Sequence, residues 1–397
     1  MSTDTLNSVR RVEVVVVGLG TMGSMALWQL ASRGVDVLGI EQFGRIHTNG
    51  AYAGESRLFR VAAKEGQLFT PALLRSRDLW RELGAAYGQD VLLEVGALSV
   101  APQGHPDIES TLRSIKDYDL PHQVFDAGEL RSSFPQFYVE DSDIGVLDLL
   151  GGAMRPEVAV AAATDQALAG GADTWYDTEV VGIDETSDGV RVRTTRGEVL
   201  ADRVVVTAGP WTTRLLPELA DVVAVDTYSL TWLMPRHIEM FTPQRLPGFM
   251  RDLDDVHAFG VPSLDGYAIK ICPHVILDPV SDWDERPTTL DREQLEWIGR
   301  QAARMMPDLI PDVVRWSLHS DSVAANKMPI IDTVAGGAIV IATAMSGNGF
   351  KFAPVWGEML ADLATGGEGR FSEYGFTIAG HRDQMTAAAA DQPSSIK

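Results

Sequence analysis

Residues 12–43 read VEVVVVGLGTMGSMALWQLASRGVDVLGIEQF, and this stretch decides the fold. Val12 to Val17, broken only by Glu13, form the β-branched run that a parallel strand buried on both faces requires. Gly18, Gly20 and Gly23 follow with G-x-G-x-x-G spacing. SMALWQLASRG reads as a helix closing at Gly34, and VDVLGI as a second strand leading to Glu41. A βαβ unit of about 30 residues with an acid at its end is the sequence form of a dinucleotide site. The glycines serve a tight turn, close approach of backbone to a pyrophosphate, and packing of helix on strand. Unpaired N–H groups of the helix N-terminus, around Thr21 and Met22, face the phosphates. Glu41, followed by Gln42, is placed to accept from ribose hydroxyls, and its charge argues against a 2'-phosphate and so against NADP.

Working outward, 397 residues with 45% hydrophobic content suffice for two cores. The 55 acidic against 33 basic residues give a formal charge of −22. Such a surface repels polyanions, so nucleic acid is excluded as the expected partner, while clustered arginines still make a pocket for one small anion. Cys272 is the single cysteine, which excludes an internal disulfide framework and fits a reducing cytoplasm. No apolar run approaches the 18 or more residues of a membrane span. The SVRR preceding the first strand resembles twin arginines before a signal core, but Glu13 and the lack of a small-residue cleavage site favour a strand.

Residues 47–60, HTNGAYAGESRLFR, carry Arg57 and Arg60 three apart; on a helical turn they would share one side. QLFTPALLRSRDLWRELGAAYG then has helical periodicity, LLEVGALSVAP reads as a strand, and DIESTLRSIKDY and PEVAVAAATDQALA as helices. DTEVVGIDETSDGVRVRTTRGEVLADRVVVTAGPWT reads as an antiparallel meander running into a buried strand that ends at Ala208-Gly209, with Trp211 just beyond. GAIVIATAMSGNGFKFAPVWGEML reads as a further strand turning at SGNG into a helix. The expected class is α/β: a discontinuous Rossmann-like nucleotide domain from residues 1–94, 155–219 and 326–385, beside a mixed-sheet α+β substrate domain from 95–154 and 220–325. Residues 386–397 read as a frayed tail.

Both NAD and FAD use the first βαβ unit. ADRVVVTAGPWT and VIATAMSGNGFKFAP are what a flavoprotein needs to bring backbone close to the rest of FAD. With GLGTMGSMALWQLASRG, HTNGAYAGESRLFR, PGFM at 247–250, FGVPSLDGYAIKICPH and SGNGFKFAPVWGE, the chain resembles the FAD-dependent amine oxidases of the monomeric sarcosine oxidase and N-methyltryptophan oxidase type, over nearly its whole length. The resemblance implies a p-hydroxybenzoate-hydroxylase-like FAD domain. It implies that Arg60 and Lys351 hold a substrate carboxylate and that Lys270, near the flavin, activates dioxygen. It also places Arg57 beside the ring, His274 in the active site and Met250 on a substrate-contacting loop. The FAD contacts it implies are Gly18, Gly20, Thr21, Met22, Gly23, Glu41, Gln42, Ser56, Arg57, Val181, Ala208, Gly209, Trp211, Gly347, Asn348, Gly349, Phe350 and Lys351. The chemistry agrees: an arginine fork binds a carboxylate bidentately, a second cation keeps it ionised, and a buried lysine stabilises charge developing on dioxygen.

The family attaches FAD through a cysteine about a dozen residues before a PIID-like strand. Here that region, RWSLHSDSVAANKMPIID, holds Ser317 to His319 and no cysteine, so FAD is expected to bind noncovalently, with a link through His319 as the covalent alternative. Phe259 stands where the family has an active-site tyrosine, and His257 lies two residues earlier on the same strand face. The leading expectation is an oxidase of a secondary amine or N-methyl amino acid, returning electrons to dioxygen as hydrogen peroxide. The alternative is oxidation of a secondary alcohol, such as a sugar hydroxyl, with His257, His274 or His319 as base. A non-catalytic FAD-binding or sensor protein is a third class, but it leaves Arg57, Lys270 and Lys351 without a shared reason to occur. No metal is assigned: the histidines lack ligand spacing, and DLDD at 252–255 and DWDER at 282–286 read as solvated acids.

Overall fold

The computed structural model describes residues 9–391 except Ile276. Arg10–Val17 (β1), Thr21–Ser32 (α1) and Val37–Ile40 (β2) form the βαβ unit read from the sequence, with β1 and β2 parallel. β1 also pairs in parallel with strand Gly197–Val206, which is the pivot of the sheet. The first half of that strand pairs antiparallel with the meander strand Gly189–Thr194; its second half pairs parallel with Ile339–Thr343. The sheet therefore forks beside the carboxyl end of β1, where a crevice for a ligand opens. Helix α1 packs against helices Pro156–Ala169 and Ala353–Ala364. A Cβ on Gly357 would lie 2.7 Å from Met25 Cβ, so glycine is what permits this close helix approach.

A second sheet of eight strands runs in the order Leu309–Val323, Ala224–Pro235, Ile269–Pro273, Val256–Val261, Gly248–Leu253, Ala97–Pro102, Asp143–Asp148 and His122–Phe125. It is antiparallel except where Gly248–Leu253 meets Ala97–Pro102. Side chains alternate between its faces. One face, with Phe249, Ala258, Ile269 and Ile271, packs on helix Arg292–Met305 through Ala302 and Met305. The other carries Tyr228, Leu230, Trp232, Phe259 and Cys272. A small third sheet joins Arg57–Phe59, Gly152–Met154 and Leu92–Leu93.

Two expectations are corrected. Arg57 and Arg60 stand at a short strand, not a helical turn, so extended geometry sends them to opposite sides. The tail expected from residue 386 is helical up to Asp391, the end of helix Ile378–Asp391; residues 392–397 lie outside the described residues.

Candidate active site

A cavity with about 1230 Å³ of empty space runs from the end of β2 to the second sheet. At its near end lie the glycines. Gly18 takes φ 85°, and a Cβ there would lie 2.7 Å from the Thr207 carbonyl oxygen. A Cβ on Gly23 would lie 1.8 Å from the Gly18 carbonyl oxygen, so that glycine seats α1 on the strand and does not line the cavity. A Cβ on Gly20 would meet only the Tyr52 ring, at 3.9 Å, leaving space at the helix N-terminus. The buried Glu41 carboxylate accepts from the backbone N–H of Leu19 at 2.8 Å and of Phe43 at 3.0 Å, which fixes it at the cavity wall. Thr21, Met22, Gln42, Ala208, Gly209, Trp211, Gly347, Gly349 and Phe350 line the same cavity.

Besides Gly23, four expected cofactor residues stand elsewhere. Val181 points outward, 52% exposed, while its neighbour Val180 lines the cavity; strand alternation accounts for the swap. Ser56 is buried and offers only its carbonyl, to cations described next. Asn348 and Lys351 sit behind the 345–349 turn rather than on the cavity wall.

At the far end, loop 50–56 makes a nest of carbonyls for two cations. Arg57 donates to the carbonyls of Ser56 (2.7 Å), Ala51 (2.8 Å) and Ala53 (2.7 Å), and to the Tyr228 hydroxyl at 3.3 Å. Lys270 Nζ donates to the carbonyls of Gly54 at 2.9 Å and Ser56 at 2.7 Å, and lies 5.3 Å above the Trp232 ring. The loop is held from behind by Glu157, which accepts from the N–H of Gly54 and Glu55 at 2.8 and 3.0 Å. Burial and the Arg57 charge push the Lys270 ammonium well below its ordinary range. The same burial, with Arg57 and Lys270 beside it, pushes His319 down to about 3, so its imidazole is neutral. Its Nε2 lies 2.8 Å from Ser317 Oγ. Asp321, two residues on and so on the same strand face, accepts from the Gly347 N–H at 2.8 Å and is pushed up to about 6 by burial.

The register of the second sheet sets the other expected residues in rows on this face. Lys270 stands opposite Trp232 and Val261, and Cys272 beside Phe259, which in turn opposes Met250. In the next row, His257 opposes Asp252 and its backbone carbonyl accepts from the His274 N–H at 2.9 Å. Met250, Phe259, His257 and His274 thus share a face with Lys270 but do not line the large cavity. His257 Nδ1 lies 2.6 Å from Asp252 Oδ1, and burial together with His257 pushes His274 down. The expectation of solvated acids fails at Asp252, which is buried, and holds at Asp254, Asp255, Asp284 and Glu285, which are exposed; Asp282 and Asp284 pair with Arg214 at the surface. Among the described residues, one group, His105, Asp107 and Asp252, has its ligand atoms close enough to share an ion. Its carboxylates are already paired, Asp107 with Lys64 and Asp252 with His257.

Arg60 and Lys351 meet, as their resemblance implies, but around a third residue that sequence reasoning missed. Glu65 Oε1 accepts from Lys351 Nζ at 2.6 Å and from Arg60 Nη2 at 3.3 Å; Lys351 also donates to Asn348 Oδ1 at 3.0 Å. Burial alone would raise the Glu65 carboxyl, but Lys351 and Arg60 hold it below the usual carboxylate range. Burial pushes Lys351 down to about 8, with Glu65 opposing. Two cations share one carboxylate, leaving one net positive charge, and Arg60 Nη1 is buried without a partner. The only sequence signal for Glu65 is the charged pair Lys64 and Glu65 closing the small, apolar start of the VAAKEG loop.

A forked, largely parallel sheet with a glycine cradle, a buried acid just past the end of β2 and a long cavity defines a dinucleotide-binding protein that can house FAD. Residues 13–363 match the family model described as FAD dependent oxidoreductase, and the chain belongs to that family. It is therefore an FAD-dependent oxidoreductase, and no helix among the described residues is long and apolar enough to cross a membrane. It is 32% identical over 366 residues to a monomeric sarcosine oxidase of Streptomyces avermitilis, covering 89% of this chain and 94% of the relative. It is 28% identical over 358 residues to an N-methyl-L-tryptophan oxidase of Yersinia pestis, covering 89% of this chain and 94% of that one. In fold it is similar to NikD, an unusual amino acid oxidase of nikkomycin biosynthesis, with a TM-score of 0.79 at 24% identity over 90% of this chain and 95% of the other.

Proposed function

We propose that the protein oxidises a secondary amine bearing a carboxylate, an N-methyl or otherwise N-substituted amino acid, with dioxygen as acceptor and hydrogen peroxide as product. The observation that carries this reading is the buried Arg60–Glu65–Lys351 group, with its net positive charge and its unpartnered Arg60 Nη1. A buried uncompensated cation is costly, and a substrate carboxylate on Nη1 balances the group as two cations and two anions. When bound, FAD supplies the hydride acceptor and the route of electrons to dioxygen. Arg60 and Lys351 orient the amino acid by its carboxylate. Lys270, held on two carbonyls, places positive charge where dioxygen gains negative charge. Arg57 adds a second fixed cation beside it.

Two observations weigh against the alcohol alternative. His319, with a conjugate acid near pH 3, is a poor base for a hydroxyl proton, and His257 is paired with Asp252 away from the large cavity. We also place FAD as noncovalent, the division of strands between the two large sheets as the domain division read from the sequence, and the protein in a reducing compartment.

Anaerobic mixing with N-methyl amino acids is expected to bleach the flavin absorbance; bleaching by sugars or glycosides alone contradicts the amine reading. Acid precipitation is expected to leave the flavin in the supernatant, and flavin in the pellet contradicts noncovalent binding.

A further inference from the structure

Between strand Ile269–Pro273 and helix Arg292–Met305 the chain leaves the second sheet and returns by a long connection whose regular structure is one short turn, Trp283–Glu285. Ordered connections of that length usually serve as lids or binding loops. Residues 279–286 are pinned at three points. Val280 exchanges backbone hydrogen bonds with Val225, both at 2.8 Å. Trp283 packs on Trp211 with ring centroids 4.7 Å apart, and Trp211 meets Phe43 edge-on at 5.7 Å. Phe43 gives its N–H to Glu41, so the aromatic row Phe43, Trp211, Trp283 begins at the acid of the βαβ unit and ends in this segment. Arg286 lies over the Trp283 ring, 3.2 Å from its centroid, and donates to the Trp283 carbonyl at 3.0 Å. The third point is Arg214, whose guanidinium takes both oxygens of Asp282, one of them at 3.0 Å, and reaches Asp284 at 2.7 Å. Asp282 also accepts from the Asp284 N–H at 2.8 Å, which turns both carboxylates to one arginine. Trp211 and Arg214 line the flavin cavity, whereas Asp282, Trp283 and Asp284 do not. The segment thus bears on the cofactor only through the wall residues it holds.

We infer that residues 279–286 are a strap that retains FAD: Trp283 braces Trp211 and the Arg214 ion pairs latch it, closing the wall of the cavity at its Glu41 end, where the adenosine half of the cofactor lies. This rests on the proposed noncovalent binding of FAD, since a tethered cofactor needs no strap. The single cysteine, Cys272, is buried in the second sheet and supplies no tether there. For FAD to leave, the wall at Trp211 and Arg214 opens, which breaks the Trp211–Trp283 contact and the Arg214 pairs first. The two attachments differ in kind. The side chains of Arg214, Asp282 and Asp284 are 37%, 37% and 70% exposed, so salt screens that latch, while the packing of the two indoles does not depend on charge.

The test follows the rise of flavin fluorescence as FAD leaves the diluted, FAD-loaded protein, with no turnover involved. Trp283→Ala is expected to release FAD about tenfold faster than the unaltered protein. Asp282→Asn combined with Asp284→Asn is expected to release it about threefold faster in low salt, and the gap is expected to close in about 1 M NaCl, where screening already loosens the latch. An unchanged rate in Trp283→Ala overturns the inference; where that variant does not fold, an unchanged rate in the doubly substituted protein, altered only at the surface, does so. A gap that salt does not close also overturns it, because the effect then does not come from the Arg214 pairs. Flavin that stays in the acid pellet refutes noncovalent binding and the strap together, whereas flavin in the supernatant with unchanged release refutes the strap alone.

Discussion

Two pairs of cations, buried except for the half-buried Arg57, stand near the cavity, and they are held in opposite ways. Arg57 and Lys270 rest on the neutral carbonyls of loop 50–56, with no carboxylate paired to either among the described residues. Arg60 and Lys351 share the Glu65 carboxylate and keep one charge between them. Carbonyl dipoles position a cation without cancelling it, which suits a site where negative charge only develops during reaction. A shared carboxylate lowers the cost of burying two cations while leaving room for one more anion, which suits a site that must wait empty for a charged ligand.

The most severe way to break this contrast is Glu65→Gln, which leaves two buried cations with no counter-charge. A stability loss of about 3–5 kcal/mol is expected, read as a lower thermal midpoint, with part of it recovered in high acetate as the anion refills the group. Lys270→Met is expected to slow reoxidation of reduced flavin about 10²–10³-fold in stopped flow, with flavin reduction by the amine changing less. Equal slowing of both halves would assign Lys270 to the amine rather than to dioxygen. The smallest effect is a pH dependence. Lys351 is charged below about 8 and loses its proton above it, so the carboxylate substrate's KM is expected to be flat below pH 8 and to rise above it. The inflection should vanish in Lys351→Met.

The same contrast marks what the sequence could tell. The glycine cradle and Glu41 were legible because contiguous residues carry the whole device: strand, turn, helix, strand and acid follow within 43 residues. Arg57, Arg60, Lys270 and Lys351 were legible only through resemblance, and their partners were not. Lys270 meets loop 50–56 across more than 200 residues of chain. Tyr228 reaches Arg57 only because the register sets it opposite His319. The resemblance implies Val181, whereas strand alternation turns that side chain outward and puts its neighbour Val180 on the cavity wall. Glu65 was invisible because a lone acid in a loop is usually solvated, and only folding closes Arg60 and Lys351 around it.

Binding of a substrate carboxylate by Arg60 and Lys351 is open to a decisive comparison: anaerobic flavin reduction by an N-methyl amino acid and by the N-methyl amine that lacks its carboxylate. Half-saturation is expected at roughly 10- to 100-fold lower concentration for the acid, the worth of a charge-assisted contact, with that advantage lost in Arg60→Met. Equal half-saturation for acid and amine would contradict it.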